Sequence, residues 1–181
     1  MSLNDLTSDS KFLSLVLRHK PETVGVTLDD AGWIDVDTLL GACAKHRRVI
    51  PRERLEQIVA TSDKQRFAFS EDRRRIRANQ GHSVEVELGY APAEPPELLY
   101  HGTPEGAVEA IRGEGLKKMA RHHVHLSENI GQTLAVGARR GRPVLVTVAA
   151  GRMRAAGHVF YKTPNNVWLV DAVPPAYLTI E

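Results

Sequence analysis

The sequence predicts an α+β protein made of two lobes. Three observations lead there. Residues up to about 88 show helical hydrophobic spacing, interrupted by one short hairpin pattern and ending in a pair of short strand signals. Residues 88–97, Leu-Gly-Tyr-Ala-Pro-Ala-Glu-Pro-Pro-Glu, hold three prolines in ten positions with no periodicity, which reads as an exposed connector. Beyond it, short apolar runs alternate with helical segments. The expected division is therefore residues 1–88 and 89–181.

In the first lobe, Phe12, Leu13, Leu15, Val16 and Leu17 follow helical spacing, with Ser8 or Asp9 able to cap the start and Pro21 ending the run. Val26 to Leu28 and Trp33 to Val36 flank Asp29-Asp30-Ala31-Gly32, the pattern of a short hairpin. Asp35 or Asp37 caps a helix through Leu39, Leu40 and Cys43. Pro51 suits the first turn of a further helix carrying Leu55, Ile58 and Val59. Phe67-Ala68-Phe69 and Arg75-Ile76-Arg77 then bracket a charged turn at Glu71-Asp72-Arg73. Helices followed by a two-stranded ribbon describe a small winged-helix lobe.

In the second lobe, Leu98 to Tyr100 is a strand, and Thr103-Pro104 opens a helix that Gly113 and Gly115 close. Val124 to Leu126 is a strand, followed by Ser127 as the cap of a helix with Ile130, Leu134 and Val136. Val144 to Val148 reads as a buried strand, with further strands at Val159-Phe160, Val167 to Val170 and Leu178 to Ile180.

Composition excludes several classes. With 42% hydrophobic and 25% charged residues the chain reads as folded rather than disordered. The single cysteine, Cys43, removes an internal disulfide framework and any CxxC site. No apolar run approaches the ~20 residues of a membrane span, and the amino terminus lacks a secretory pattern, so a cytoplasmic protein is expected. No GxGxxG opens a βαβ unit, and there is no P-loop, GxSxG elbow or HExxH. The net charge is only +2, but residues 1–44 hold 3 basic and 7 acidic side chains whereas residues 45–77 hold 11 and 5. A basic segment in a near-neutral chain suits a local anion-binding face, with Arg73, Arg74 and Arg75 at its turn.

Five clusters put cations, imidazoles and hydroxyls at element ends. They are Leu17-Arg18-His19-Lys20-Pro21, Asp63-Lys64-Gln65-Arg66-Phe67, Gln80-Gly81-His82-Ser83, His101-Gly102-Thr103 and Arg121-His122-His123-Val124-His125-Leu126-Ser127. Arg18 and His19 close a helix, where they serve either as C-terminal caps or as an anion grip. Arg66 either pairs with Asp63 or Glu71 or presents a planar fork to phosphate. In His101-Gly102-Thr103 the glycine lets a ligand approach, and the imidazole and hydroxyl can bond ribose hydroxyls or an amide. His123 and His125 alternate on a strand, but no carboxylate or thiol completes a tetrahedral set, so no metal is expected. Such a site is rich in donors and poor in general bases. It suits phosphate binding and transfer, where positioning and charge stabilisation dominate, and a cleft between the lobes is its natural place.

In this order the five clusters resemble those of the NAD-dependent RNA 2'-phosphotransferase family, and the likeness runs from about residue 8 to residue 180. The resemblance implies a winged-helix RNA-binding lobe joined to an NAD-binding lobe with the ADP-ribosyltransferase fold. It implies removal of an internal 2'-phosphate from RNA in two steps. The phosphate attacks the nicotinamide ribose of NAD and expels nicotinamide, and the ribose 2''-hydroxyl then attacks the phosphorus. The products are 2'-hydroxyl RNA and ADP-ribose 1'',2''-cyclic phosphate. NAD is consumed, no metal is required, and a spliced tRNA is the obvious source of such a phosphate.

The family's essential Arg-His-Arg-Arg set falls on Arg18, His19, Arg66 and Arg121. Arg18 and Arg66 would grip the RNA phosphate, Arg121 would stabilise its oxygens in the second step, and His19 would bond the phosphate or move a proton. His101, Gly102 and Thr103 resemble the first-strand NAD motif, and His125 stands where poly-ADP-ribose polymerases carry tyrosine. Ser127, His82 and Ser83 would border the nucleotide. The late-strand glutamate of those polymerases has no counterpart in Asn165-Asn166-Val167-Trp168, consistent with an acceptor that is already anionic. Two rival readings remain open from sequence: a winged-helix regulator that only senses nucleotide, and the first step alone aimed at a terminal phosphate. Nothing in the sequence demands more than a monomer.

Overall fold

A computed structural model describes residues 3–62, 64–138 and 141–181. The chain is mixed α/β with small antiparallel sheets and falls into two compact units, Met1–Gly89 and Tyr90–Glu181.

In the first unit, α1 (Leu3–Arg18) buries Leu13, Val16 and Leu17 completely, an i, i+3, i+4 stripe. It starts earlier than Ser8 or Asp9, so neither acts as its cap. Asp9 instead lies inside at 5% exposure, where Arg48 Nε and Nη2 donate to Oδ1 at 3.0 and 2.7 Å and Arg54 Nη1 to Oδ2 at 3.1 Å. A buried carboxylate needs paired charge more than a frayed helix end needs a cap. After α1 a 3-10 turn, Pro21–Val24, closes on Gly25 at φ 67°.

The expected hairpin at 26–36 does not form as a strand pair. Asp29 Oδ1 accepts the N–H groups of Ala31 and Trp33, closing the turn through a side chain. β1 (Ile34–Asp35) pairs instead with β3 (Arg75–Ala78), which also pairs with β2 (Phe67–Phe69), in the order β1-β3-β2. The expected ribbon is present, with Phe67 opposite Ala78 and Phe69 opposite Ile76. Asp35 caps α2 (Val36–Lys45) by accepting from the Thr38 N–H at 2.8 Å. Pro51 stands one residue outside α3 (Arg52–Thr61) as its N-cap. Ile34, Leu39, Cys43, Leu55 and Ile76 pack with α1 in one core.

Among the described residues the second unit holds three sheets. One runs β4 (Pro92–Ala93), β9 (Phe160–Lys162), β10 (Trp168–Val170), β7 (Val124–Leu126). Another is β12 (Leu178–Ile180), β8 (Pro143–Val148), β5 (Leu99–Pro104), and a small pair joins β11 (Ala172–Val173) to β6 (Leu116–Lys117). Thr103-Pro104 does not open a helix. Both residues continue β5, opposite Val144 and Pro143, because a β-branched threonine paired along β8 favours the strand. α4 (Val108–Glu114) follows a 3-10 turn at Glu105–Ala107 and ends on Gly115. Asn129 caps α5 (Ile130–Gly137) through the Gln132 N–H, while Ser127 Oγ accepts the Asn129 N–H, so the expected cap sits two residues too early. The side chain of Val136 lies outside what is described. α6 (Ala150–Ala155) buries Met153 against a core of Leu99, Val146, Phe160 and Trp168.

Candidate active site

Each unit gathers its own group of the singled-out residues. In the first, Arg18 ends α1 and its Nη2 donates to the Arg66 carbonyl at 3.4 Å. Arg66 directly precedes β2, and its Nη1 donates to Ser62 Oγ at 3.4 Å. Asp63, its other expected partner, lies outside the described residues. The segment after β3 returns to the end of α1, where the Ser83 and Val84 N–H groups donate to the Arg18 carbonyl at 2.8 and 3.4 Å. Ser83 Oγ and His19 Nδ1 are 2.9 Å apart, within hydrogen-bond distance. His82 is 2% exposed and its Nε2 packs on Gly32, where an added Cβ would sit 3.3 Å away.

In the second unit, His101, Gly102 and Thr103 lie along β5, opposite Val146, Leu145 and Val144, and Thr103 is buried. Ser127 ties the end of β7 to β5, since its N–H and carbonyl exchange hydrogen bonds with Tyr100 at 2.9 and 2.8 Å. Arg121 follows a turn closed by its own N–H on the Lys118 carbonyl, and its Nη1 donates to His125 Nδ1 at 2.8 Å. His123 leaves this group and meets the Tyr161 ring edge-on at 5.7 Å.

These bonds set two tautomers. His101 Nδ1 lies 3.0 Å from the His125 carbonyl, which can only accept, so His101 carries its proton on Nδ1. Burial pushes the His101 pKa down, opposed by that same bond and aided by the Arg121 charge, so the ring is neutral and Nε2 is a bare acceptor. A guanidinium can only donate, so a neutral His125 must accept on Nδ1 and hold its proton on Nε2. The two imidazoles therefore present opposite hydrogen-bonding characters. Among the described residues no group of three or more His, Cys, Asp or Glu side chains could hold a metal ion. No described helix is long and apolar enough to cross a membrane.

Residues 4–172 match the RNA 2'-phosphotransferase, Tpt1 / KptA family. The chain belongs to this family. A probable RNA 2'-phosphotransferase of Nostoc punctiforme is 51% identical over 178 residues, covering 98% of each chain. A protein of the same name from Trichormus variabilis is 55% identical over 169 residues and 93% of each chain, and one from Streptomyces griseus is 52% identical over 178 residues and 94% of each.

The basic turn of the first unit is more engaged with its own lobe than its composition suggests. Arg73 pairs with Glu56 and lies over Phe69, Arg75 pairs with Asp29, and both Arg75 and Arg77 lie over the Trp33 ring. Much of this charge is met by neighbouring carboxylates. Sequence reading also passed over two polar side chains. Glu128, directly after Ser127, accepts from Trp168 Nε1 at 2.7 Å and Lys162 Nζ at 2.9 Å, and the lysine bond leads in holding its carboxyl below the usual range. Asn79, directly after β3, is 3% exposed beside Arg66. Their positions next to clusters of interest were the available signal in both cases.

Proposed function

We propose that this phosphotransferase removes an internal 2'-phosphate from RNA by transferring it to NAD. In this reading the first unit is a winged-helix RNA-binding lobe and the second an NAD-binding lobe of the ADP-ribosyltransferase type. The observation that carries it is the convergence of Arg18, His19 and Arg66 at one end of α1 in a chain of this family. Two permanently charged forks and an imidazole suit a dianionic phosphate.

Bound NAD supplies an electrophilic ribose carbon whose nicotinamide departs with the electron pair of the broken C–N bond. Arg18 and Arg66 hold the RNA phosphate with an oxygen free to attack that carbon. His101 Nε2, a bare acceptor, receives a hydrogen bond from a ribose hydroxyl or the carboxamide, and the His125 Nε2–H donates to a neighbouring oxygen. Gly102 and Thr103 shape the strand on which the nucleotide rests, and Ser127 fixes the end of β7 beside it. Arg121 neutralises phosphate oxygens when the ribose 2''-hydroxyl attacks phosphorus. That attack breaks the bond to the RNA 2'-oxygen, which leaves as a hydroxyl after taking up a proton. His19, held by Ser83, bonds the phosphate or delivers that proton. The burial of His82 against Gly32 favours a packing role over a nucleotide contact. The protein works as a cytoplasmic monomer without metal, and 2'-phosphorylated tRNA from splicing is one substrate that fits.

The test is mass spectrometry of a short RNA bearing one internal 2'-phosphate, incubated with and without NAD. Loss of phosphate only with NAD, together with ADP-ribose cyclic phosphate, is the expected result; unchanged RNA refutes the reading. With Arg121→Ala the ADP-ribosylated RNA should accumulate. Equal loss of both steps would show that Arg121 serves the first as well.

A further inference from the structure

The segment Asn79–Val84 runs from one of the proposed phosphate-gripping motifs to the other. At its far end, Ser83 and Val84 hold Arg18 and His19. At its near end, the Asn79 N–H donates to the Arg66 carbonyl at 2.9 Å, and the Asn79 side-chain Nδ2 donates to the Gln65 carbonyl at 2.5 Å. One residue thus holds two successive carbonyls, and that of Arg66 also accepts from the Arg18 guanidinium.

The side-chain bond is the informative one. The backbone bond merely extends the β2–β3 ladder, in which Phe67 faces Ala78, by one step. Nothing in a ladder requires a buried amide. Gln65, however, has φ 38°, a left-handed conformation that is unfavourable for a residue with a Cβ and persists only where surroundings enforce it. That conformation turns the chain immediately before Arg66 and so decides where its guanidinium fork points. Asn79, 3% exposed, is the polar group that meets the carbonyl of this turn.

We propose that Asn79 is a positioning residue for the reaction: it locks the Gln65 turn so that Arg66 and Arg18 present their guanidinium groups in one fixed spacing, matched to a phosphate monoester on RNA. This inference rests on the proposed roles of Arg18 and Arg66. It predicts that loss of the amide damages recognition of the phosphate itself rather than binding of RNA in general.

The experiment measures affinity, without NAD, for two RNAs of one sequence, one with an internal 2'-phosphate and one without. The ratio of the two affinities is the readout. Asn79→Ala and Asn79→Asp, which keeps the shape but loses the donor, should each lower the ratio about tenfold. Ile58→Val, a mild core change on α3, should leave it unchanged. Asn79→Ser replaces the alanine variant should that variant fail to fold, with the same fall expected. An unchanged ratio in the Asn79 variants overturns the proposal, even if their melting temperatures fall. So does an equal fall in Ile58→Val, because discrimination would then follow stability alone. A wild-type protein that does not distinguish the two RNAs refutes the Arg18 and Arg66 assignment, and this inference with it.

Discussion

Replacing Asp9 by Asn should loosen the first unit substantially. Its carboxylate receives three hydrogen bonds from two arginines, and its side chain is 7% exposed, against 33% for Arg48 and 22% for Arg54. Asparagine keeps the volume but offers one acceptor oxygen and an amide that faces a cation. Removing one partner of a fully buried ion pair costs about 3–5 kcal/mol. Both guanidinium groups reach some water, so part of that is recovered, and about 2–4 kcal/mol is the expected loss. The change sits where α1, the Arg48 segment and α3 meet, so it should appear in all three. Hydrogen exchange read by mass spectrometry on peptides of α1 and α3 measures the local opening free energy without assuming two-state unfolding. At tenfold per ~1.4 kcal/mol, exchange should accelerate roughly 30- to 1000-fold. An acceleration below about fivefold would refute the reasoning, because the network would then be worth no more than a surface ion pair.

Two further outcomes concern the second unit. His101 has its pKa depressed below the ordinary 6.5, so the unfolded chain takes up this proton before the folded one does. Its contribution to stability is therefore complete above about pH 6.5 and declines as pH falls toward the folded value; His101→Gln should remove that part of the acid dependence in a melting-temperature series. Gly115→Ala should cost more than about 3 kcal/mol, since the residue sits at φ 77° and a Cβ would overlap the Val173 carbonyl oxygen that borders β6. Hydrogen exchange across Leu116–Lys117 and Ala172–Val173 checks it, and protection equal to the wild type would exclude the overlap.

What could be read from the sequence was whatever local chemistry decides. The ribbon of Phe67–Phe69 and Arg75–Ala78 and the Asp35 cap depend on neighbours in the chain, and both are present. The start of α1, the partner of Ile34–Asp35 and the course of Thr103-Pro104 depend on distant residues, and each went differently. Asp9 looked like a cap because nothing nearby announces Arg48 and Arg54. The clusters of the candidate site were legible as residue types, since arginine forks and imidazoles at element ends limit the chemistry. Their inner wiring was not. The tautomers of His101 and His125 follow from a carbonyl and a guanidinium four and more positions away, and Asn79 acts through a carbonyl fourteen residues earlier.

The end of α1 has a further consequence. Helix carboxyl termini expose carbonyl oxygens and carry the negative end of the peptide dipole, which repels anions. A phosphate held by Arg18 and His19 would approach that unfavourable pole. The Ser83 and Val84 N–H groups cover the Arg18 carbonyl, and the His19 and Lys20 N–H groups fold back on the Leu15 carbonyl. The returning segment thus meets the last carbonyl of the helix with N–H donors, and the unfavourable pole is blunted on the side where the guanidinium groups gather.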